Sequence, residues 1–90
     1  MEHNRQNVVG SIIRRLRNEQ SLTQEMLAAR CGVAGYEVSR STLAKIEAQI
    51  RGAADVELFV IAVALGVTME ELFPTGFRQR LKKGEFAREE

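Results

Sequence analysis

The 90-residue sequence has few of the residues that form covalent or metal-dependent cross-links. It contains one cysteine, one histidine, one proline and no tryptophan. A single cysteine, Cys31, excludes an internal disulfide framework. Together with the only histidine, His3, it is too little for the four ligands of a structural zinc site. We therefore predict no metal, and we interpret Cys31 as a small buried hydrophobe within a helix rather than a reactive thiol.

Groups that support catalysis or membrane insertion are equally scarce. The sequence has no glycine-rich phosphate loop, no Cys–His pair and no credible Ser–His pair, so we predict no enzymatic activity and no cofactor. No apolar run reaches the roughly 18 residues that cross a bilayer, and no signal peptide is expected before the first helix. These absences predict a cytoplasmic protein without a membrane partner.

The net charge is only +1, but the charges are separated along the chain. Residues 1–51 have eight Lys/Arg and five Glu, residues 52–73 have four acids and no base, and residues 74–90 have five bases and three Glu. Such a separation favours one surface suited to phosphates and another that phosphates avoid. The alternative is that these charges only solvate the surface.

Helical periodicity accounts for most of the apolar residues, and no stretch alternates as a strand does. We predict an all-α domain over residues 1–74 and a charged tail over residues 75–90. The domain is predicted to have five helices. The first covers about Gln6–Glu19, the second starts at Thr23 and the third starts at Ser39. The fourth is capped by Asp55 and ends near Leu65, and the fifth is short and covers Met69–Phe73. The first helix has an apolar stripe formed by Val9, Ile12, Ile13 and Leu16.

Capping residues and apolar pairs mark the starts of these helices. Thr23 and Ser39 are good N-caps, and Thr68 with Glu71 forms a capping box. Each of these three starts also has a hydrophobic-staple pair. The pairs are, in chain order, Leu22 with Leu27, Val38 with Leu43, and Val67 with Leu72. Gly66 is the expected end of the fourth helix. The inward face of the third helix is predicted to consist of Leu43, Ile46 and Ile50.

Several segments in fixed order resemble the lambda-repressor-like helix-turn-helix family of bacterial and phage regulators, of the Cro/repressor and xenobiotic-response-element type. The resemblance covers roughly residues 9–73 and rests chiefly on Ile13–Arg17, Leu22–Ala28, Gly32-Val33, Ser39–Glu47, Ala64–Val67 and Glu70–Phe73. It implies a compact bundle of five helices that binds double-stranded DNA, mostly as a dimer. The second helix of the motif is then expected in the major groove.

The chain departs from the family pattern at the turn of the motif. Five extra residues, Ala34 to Val38, stand between Gly32-Val33 and the third helix. Gly32 is one plausible terminator of the second helix. Otherwise either that helix continues to about Ala34 with Gly35 as its C-cap, or the turn itself is long.

The resemblance assigns the DNA contacts to the third helix and its surroundings. Arg40 is the best candidate base reader, because an arginine can bond bidentately to guanine. The other expected DNA-binding residues are Gln24, Tyr36, Ser39, Ser41, Thr42, Lys45 and Arg51. Gln24 and Arg51 are expected to contact phosphates, and so is one of Arg14 and Arg17. Tyr36 either lies at the DNA edge or packs under the longer turn, and Glu47 is expected to be a structural acceptor.

The fourth helix is apolar nearly all round, with a second stripe of Val56, Val60 and Val63 beside Phe59. A helix of this kind in a small protein is expected to be covered on both sides. We favour a homodimer interface through these four residues. The alternative cover is the tail, through Phe77, Leu81 and Phe86.

The combined prediction is a prokaryotic, nucleoid-associated transcriptional regulator that binds specific double-stranded DNA sites. We expect it to be repressor-like and to derive from a phage or mobile element. A second hypothesis is an antitoxin or protein-interaction module that acts on a protein partner through the C-terminal tail.

Overall fold

Four α-helices and one short 3-10 turn form the part of the chain that the computed structural model describes, residues 7–76. The helices are α1 Gly10–Glu19, α2 Gln24–Ala34, α3 Arg40–Glu47 and α4 Asp55–Leu65, and the 3-10 turn is Glu70–Leu72. The all-α prediction is confirmed. The predicted fifth helix, Met69–Phe73, is only a single 3-10 turn over Glu70–Leu72, because the chain is already extended at Phe73 (φ −104°, ψ 148°) and Pro74 has no amide hydrogen to continue a helix.

The second helix extends to Ala34 with Gly35 as its C-cap, which is one of the possibilities given for the turn. Its start is capped as predicted, with Oγ1 of Thr23 accepting from the amide of Met26 at 3.0 Å. Gly32 does not end it, and α2 continues to Ala34. Gly35 then takes the left-handed C-cap conformation (φ 115°), which a residue with a side chain adopts only at a cost. Part of the insertion therefore lengthens α2, and the remainder links it to α3.

The third helix is shorter than its apolar pattern suggests. Ser39 caps it as predicted, with Oγ accepting from the amide of Thr42 at 3.1 Å. The helix ends at Glu47, and Gln49 reverses the chain in a left-handed conformation (φ 62°). The prediction that Ile50 faces inward is therefore wrong, and its side chain is exposed.

The fourth helix begins at Asp55, but Asp55 is not its cap. The N-cap is Ala54, whose methyl group cannot accept a hydrogen bond. Instead, the carboxylate of Glu57 accepts from the amide of Ala54 at 2.9 Å. Asp55 in the first turn still interacts favourably with the positive end of the helix dipole. Gly66 closes α4 in the left-handed conformation (φ 72°), as predicted.

The core lies between the helices, where α2 packs against both α3 and α4, and α1 packs against α3. Its fully buried side chains are Ile13, Leu27, Cys31, Leu43, Ile46, Ile61 and Leu72. The interpretation of Cys31 as a buried hydrophobe is confirmed, and burial raises the pKa of its thiol. No helix within residues 7–76 has the length and apolarity needed to cross a membrane.

Candidate nucleic-acid interface

The first turn of α3 presents a polar surface that faces away from the core. Ser39, Arg40, Ser41 and Lys45 are exposed and Thr42 is half-buried. Leu43 and Ile46 are fully buried, and they fix the rotation of the helix about its axis. Within residues 7–76, neither Arg40 nor Lys45 has a carboxylate partner, so both cations are available to an external anion. The hydroxyl of Ser39 is less free, because it also donates to Oγ1 of Thr42 at 3.0 Å.

Glu47, the last residue of α3, is bound by side chains from two other helices. Arg17 of α1 donates from Nε to Oε2 at 2.8 Å and from Nη2 to Oε1 at 2.9 Å. Gln24 of α2 donates from Nε2 to Oε1 at 3.1 Å. The expectation that Glu47 is a structural acceptor is confirmed.

Arg17 is bonded to groups within the protein. Its Nη1 donates to the carbonyl oxygen of Leu22 at 2.7 Å, in addition to the two bonds to Glu47. The hydrogen bond to Glu47 raises the pKa of the guanidinium, partly offset by burial. Of the two arginines of α1 considered for phosphate contact, Arg14 is the exposed one.

Arg51, just beyond α3, forms a two-bond ion pair with Glu57 of α4. Nη1 donates to Oε1 at 2.9 Å and Nη2 donates to Oε2 at 2.8 Å. Nη1 also donates to the carbonyl oxygen of Gly52 at 2.7 Å. The hydrogen bond from Arg51 lowers the pKa of Glu57 against the opposing effect of burial. Any phosphate contact by Arg51 would therefore use the remaining edge of a guanidinium that is already paired.

The remaining DNA-binding candidates outside α3 occupy different environments. Gln24, the first residue of α2, is half-buried. Tyr36, in the link before α3, is exposed, so it does not pack under the turn. Arg15, which neighbours the candidate Arg14 and is not itself a candidate, pairs with Glu19 at 3.1 Å on the exposed face of α1.

Asn7 is a positioning residue that the sequence analysis missed. Its Oδ1 accepts from the amides of Val9 at 3.1 Å and Gly10 at 2.8 Å, which caps the start of α1. Its Nδ2 donates to the carbonyl oxygens of Ile46 and Arg51, both at 2.8 Å. Asn7 thereby connects α1 to the end of α3. The asparagine three residues before Gly10 is a capping signal in the sequence, but the bonds to α3 leave no local trace.

The four residues predicted for a dimer interface do not all share one surface of α4. Val56, Phe59 and Val63 are exposed at spacings of three and four residues, which places them on one face. Val60 is only 3% exposed and belongs to the core. The exposed stripe of α4 therefore consists of the other three residues. The alternative cover by Phe77, Leu81 and Phe86 lies outside the described residues.

A shallow apolar groove of about 410 Å³ adjoins this stripe, between the end of α2 and α4. Its lining residues are Ala29, Arg30, Val33, Ala34, Val63 and Ala64. Val33 is 90% exposed, which is unusual for an apolar side chain in a helix. No group of three or more His, Cys, Asp or Glu side chains within residues 7–76 has an arrangement that would hold a metal ion.

The family comparison agrees with this geometry. A family model described as helix-turn-helix matches residues 13–72, which is two thirds of the chain. The chain therefore belongs to the lambda-repressor-like helix-turn-helix family, whose domains bind DNA and are typically not enzymes. No curated protein and no solved structure matches it.

Proposed function

We propose that this protein is a sequence-specific transcriptional regulator, repressor-like, that reads the major groove of double-stranded DNA with α3. The observation that carries this proposal is the first turn of α3, where Arg40 is exposed and lacks a carboxylate partner within residues 7–76. Ser41 and Lys45 extend this surface toward bases or phosphates. Gln24 lies near the end of α3 through its bond to Glu47 and is proposed to contact a phosphate.

Selection of bound sequences from a pool of random duplexes tests this function. We expect a recurring motif, because a helix held by Leu43 and Ile46 presents its polar side chains in one arrangement. Enrichment of a two-fold repeat would also reveal how many copies bind. Binding without any enriched motif would contradict sequence-specific regulation.

We further propose that the regulator is a homodimer that pairs through the exposed stripe of α4 and the adjoining groove. Val63 belongs to both features, so they form one continuous apolar surface. In a two-fold arrangement, Phe59 of one copy faces the groove of the other, and each groove receives one such side chain. Charges support this pairing, because Asp55 at the start of α4 and Arg30 at the groove edge have opposite signs.

Sedimentation equilibrium at several concentrations tests the dimer without DNA. A monomeric mass at all concentrations would contradict it. The second hypothesis, an antitoxin or interaction module that acts through the C-terminal tail, predicts instead the capture of a partner protein that is lost when residues 75–90 are deleted.

A further inference from the structure

The carboxylate of Glu47 is almost completely buried, at 3% exposure, yet it lies beside a residue proposed to bind DNA. An unpaired carboxylate there would repel phosphates and would be costly to bury. Its ion pair with Arg17 removes both difficulties, because the pair is neutral and uses both carboxylate oxygens. The Glu47 carboxylate also accepts a hydrogen bond from the side-chain nitrogen of Gln24.

This bond fixes the orientation of the Gln24 carboxamide. A carboxylate can only accept hydrogen bonds, so Gln24 must turn its nitrogen, and not its oxygen, toward Glu47. One of the two Nε2 hydrogens is used in this bond, and the other remains available to an outside acceptor. Without the bond, the side chain would be free to rotate and would lose that freedom when DNA binds.

We propose that Glu47, held in place by Arg17, is a positioning residue that orients the Gln24 carboxamide to donate to a DNA phosphate. This inference rests on the proposed function, because it takes a phosphate of the duplex as the ligand. Glu47 itself makes no DNA contact. Its effect on affinity is exerted through Gln24 and is independent of base sequence.

A double-mutant cycle in the full-length chain tests this role. One side of the cycle is Gln24→Met, which removes the donor and keeps the length of the side chain. The other side is the pair Arg17→Met with Glu47→Leu, which replaces the ion pair by apolar groups without a change in net charge, a change that buried pairs often tolerate. The measurement is affinity for a mixed-sequence duplex at low salt.

We expect each side of the cycle to lower affinity by about fivefold to tenfold, the value of one ordinary hydrogen bond. The combination is expected to bind no more weakly than Gln24→Met alone, because the Arg17/Glu47 pair affects binding only through Gln24. Unchanged affinity in the Arg17/Glu47 variant, or losses that multiply in the combination, would overturn the proposal. The charge-matched control is Arg15→Gln with Glu19→Gln, which removes the exposed ion pair of α1 and should leave the contribution of Gln24 intact.

One further variant separates this proposal from loss of folding, and binding by the wild-type protein separates it from failure of the proposed function. Glu47→Asp keeps the charge but shortens the reach to Gln24. We expect it to weaken binding in the wild type and not in Gln24→Met, whereas equal losses in both backgrounds would overturn the positioning role. If the wild-type protein binds no duplex, the proposed function fails as well. If it binds and the losses multiply, only the positioning role fails.

Discussion

The side-chain nitrogen of Asn7 donates to the carbonyl oxygen of Ile46 at 2.8 Å, so the residue that caps α1 also holds the last turn of α3. Asn7 is 4% exposed, and both polar atoms of its side chain are bonded within this junction. The position of the proposed reading helix therefore depends on a residue 39 positions before Ile46 in the sequence.

Gly10 provides the close approach that this junction requires. A Cβ atom at this position would overlap the carbonyl oxygen of Ile46, which is backbone and cannot move aside independently. We expect Gly10→Ala to lower the free energy of unfolding by roughly 1–3 kcal/mol, as overpacking in a core does. Urea denaturation measures this difference.

Gly32 is the matched control, because it also lies within a helix but has open space around its Cα. We expect Gly32→Ala to raise the free energy of unfolding by up to about 1 kcal/mol, through the higher helix propensity of alanine. Equal effects of the two substitutions would show that the contact with Ile46 is unimportant.

Arg40→Ala is expected to reduce sequence preference and to leave the fold intact. A bidentate arginine–guanine contact is worth roughly 1–3 kcal/mol of discrimination, and Arg40 is exposed, so its removal opens no cavity. Competition between the selected site and single-base variants measures the effect. Arg15→Ala, on α1, is the control and should preserve the preference. An unchanged ranking of sites in Arg40→Ala would exclude Arg40 as the reader.

Salt should weaken DNA binding steeply. The logarithm of the association constant is expected to fall by about 0.9 per phosphate neutralised for each tenfold increase in salt. Lys45→Ala should reduce this slope by about one phosphate contact, because Lys45 has no carboxylate partner within residues 7–76. Affinity that hardly changes between low and moderate salt would argue against a phosphate-binding surface.

The ion pair between Glu57 and Arg51 should make stability depend on pH in the acid range. The pKa of Glu57 is lowered from 4.5 by the hydrogen bond from Arg51, so the folded protein binds this proton more weakly than the unfolded chain. The resulting stabilisation is present above pH 4.5 and is lost as the pH falls through the lower folded-state value. Thermal unfolding of Glu57→Gln should depend less on pH over this range. A slope parallel to that of the wild type would contradict this assignment, and Arg51→Met should reduce the slope in the same way.

Phe59→Ser is expected to weaken the proposed dimer. The side chain is 59% exposed, so its removal costs little inside one copy, whereas the pairing surface loses its largest apolar group. Sedimentation equilibrium should show a lower association constant. Ile50→Ser removes a comparably exposed apolar side chain beyond α3 and should leave the mass unchanged. Equal association constants for the two variants would show that the dimer contact does not involve Phe59.

Helix starts could be predicted closely from the sequence where a side chain makes the cap. Thr23 and Ser39 are found as expected, because their hydroxyls bond to amides only three residues away. The start of α4 shows the limit of this reasoning. Its N-cap is Ala54, and the bond that secures it comes from Glu57, inside the helix.

Contacts between distant segments could not be predicted in the same way. The apolar spacing of Ile50 fits a longer α3, but the left-handed Gln49 ends that pattern. Val60 shares a stripe with Val56 and Val63 by spacing, yet the rotation of α4 against α2 places it in the core. Arg17 has the same charge as Arg14, and only the folded chain shows that it is paired with Glu47.

The two internal ion pairs have a consequence for the kinetics of target search. Arg17 and Arg51 are neutralised by Glu47 and Glu57, so a duplex of arbitrary sequence meets a weaker field than the number of basic residues suggests. Affinity for such DNA comes mainly from phosphate neutralisation. We therefore expect short residence times on unrelated sequences and rapid transfer between them, with prolonged residence only where the bases match the reading helix.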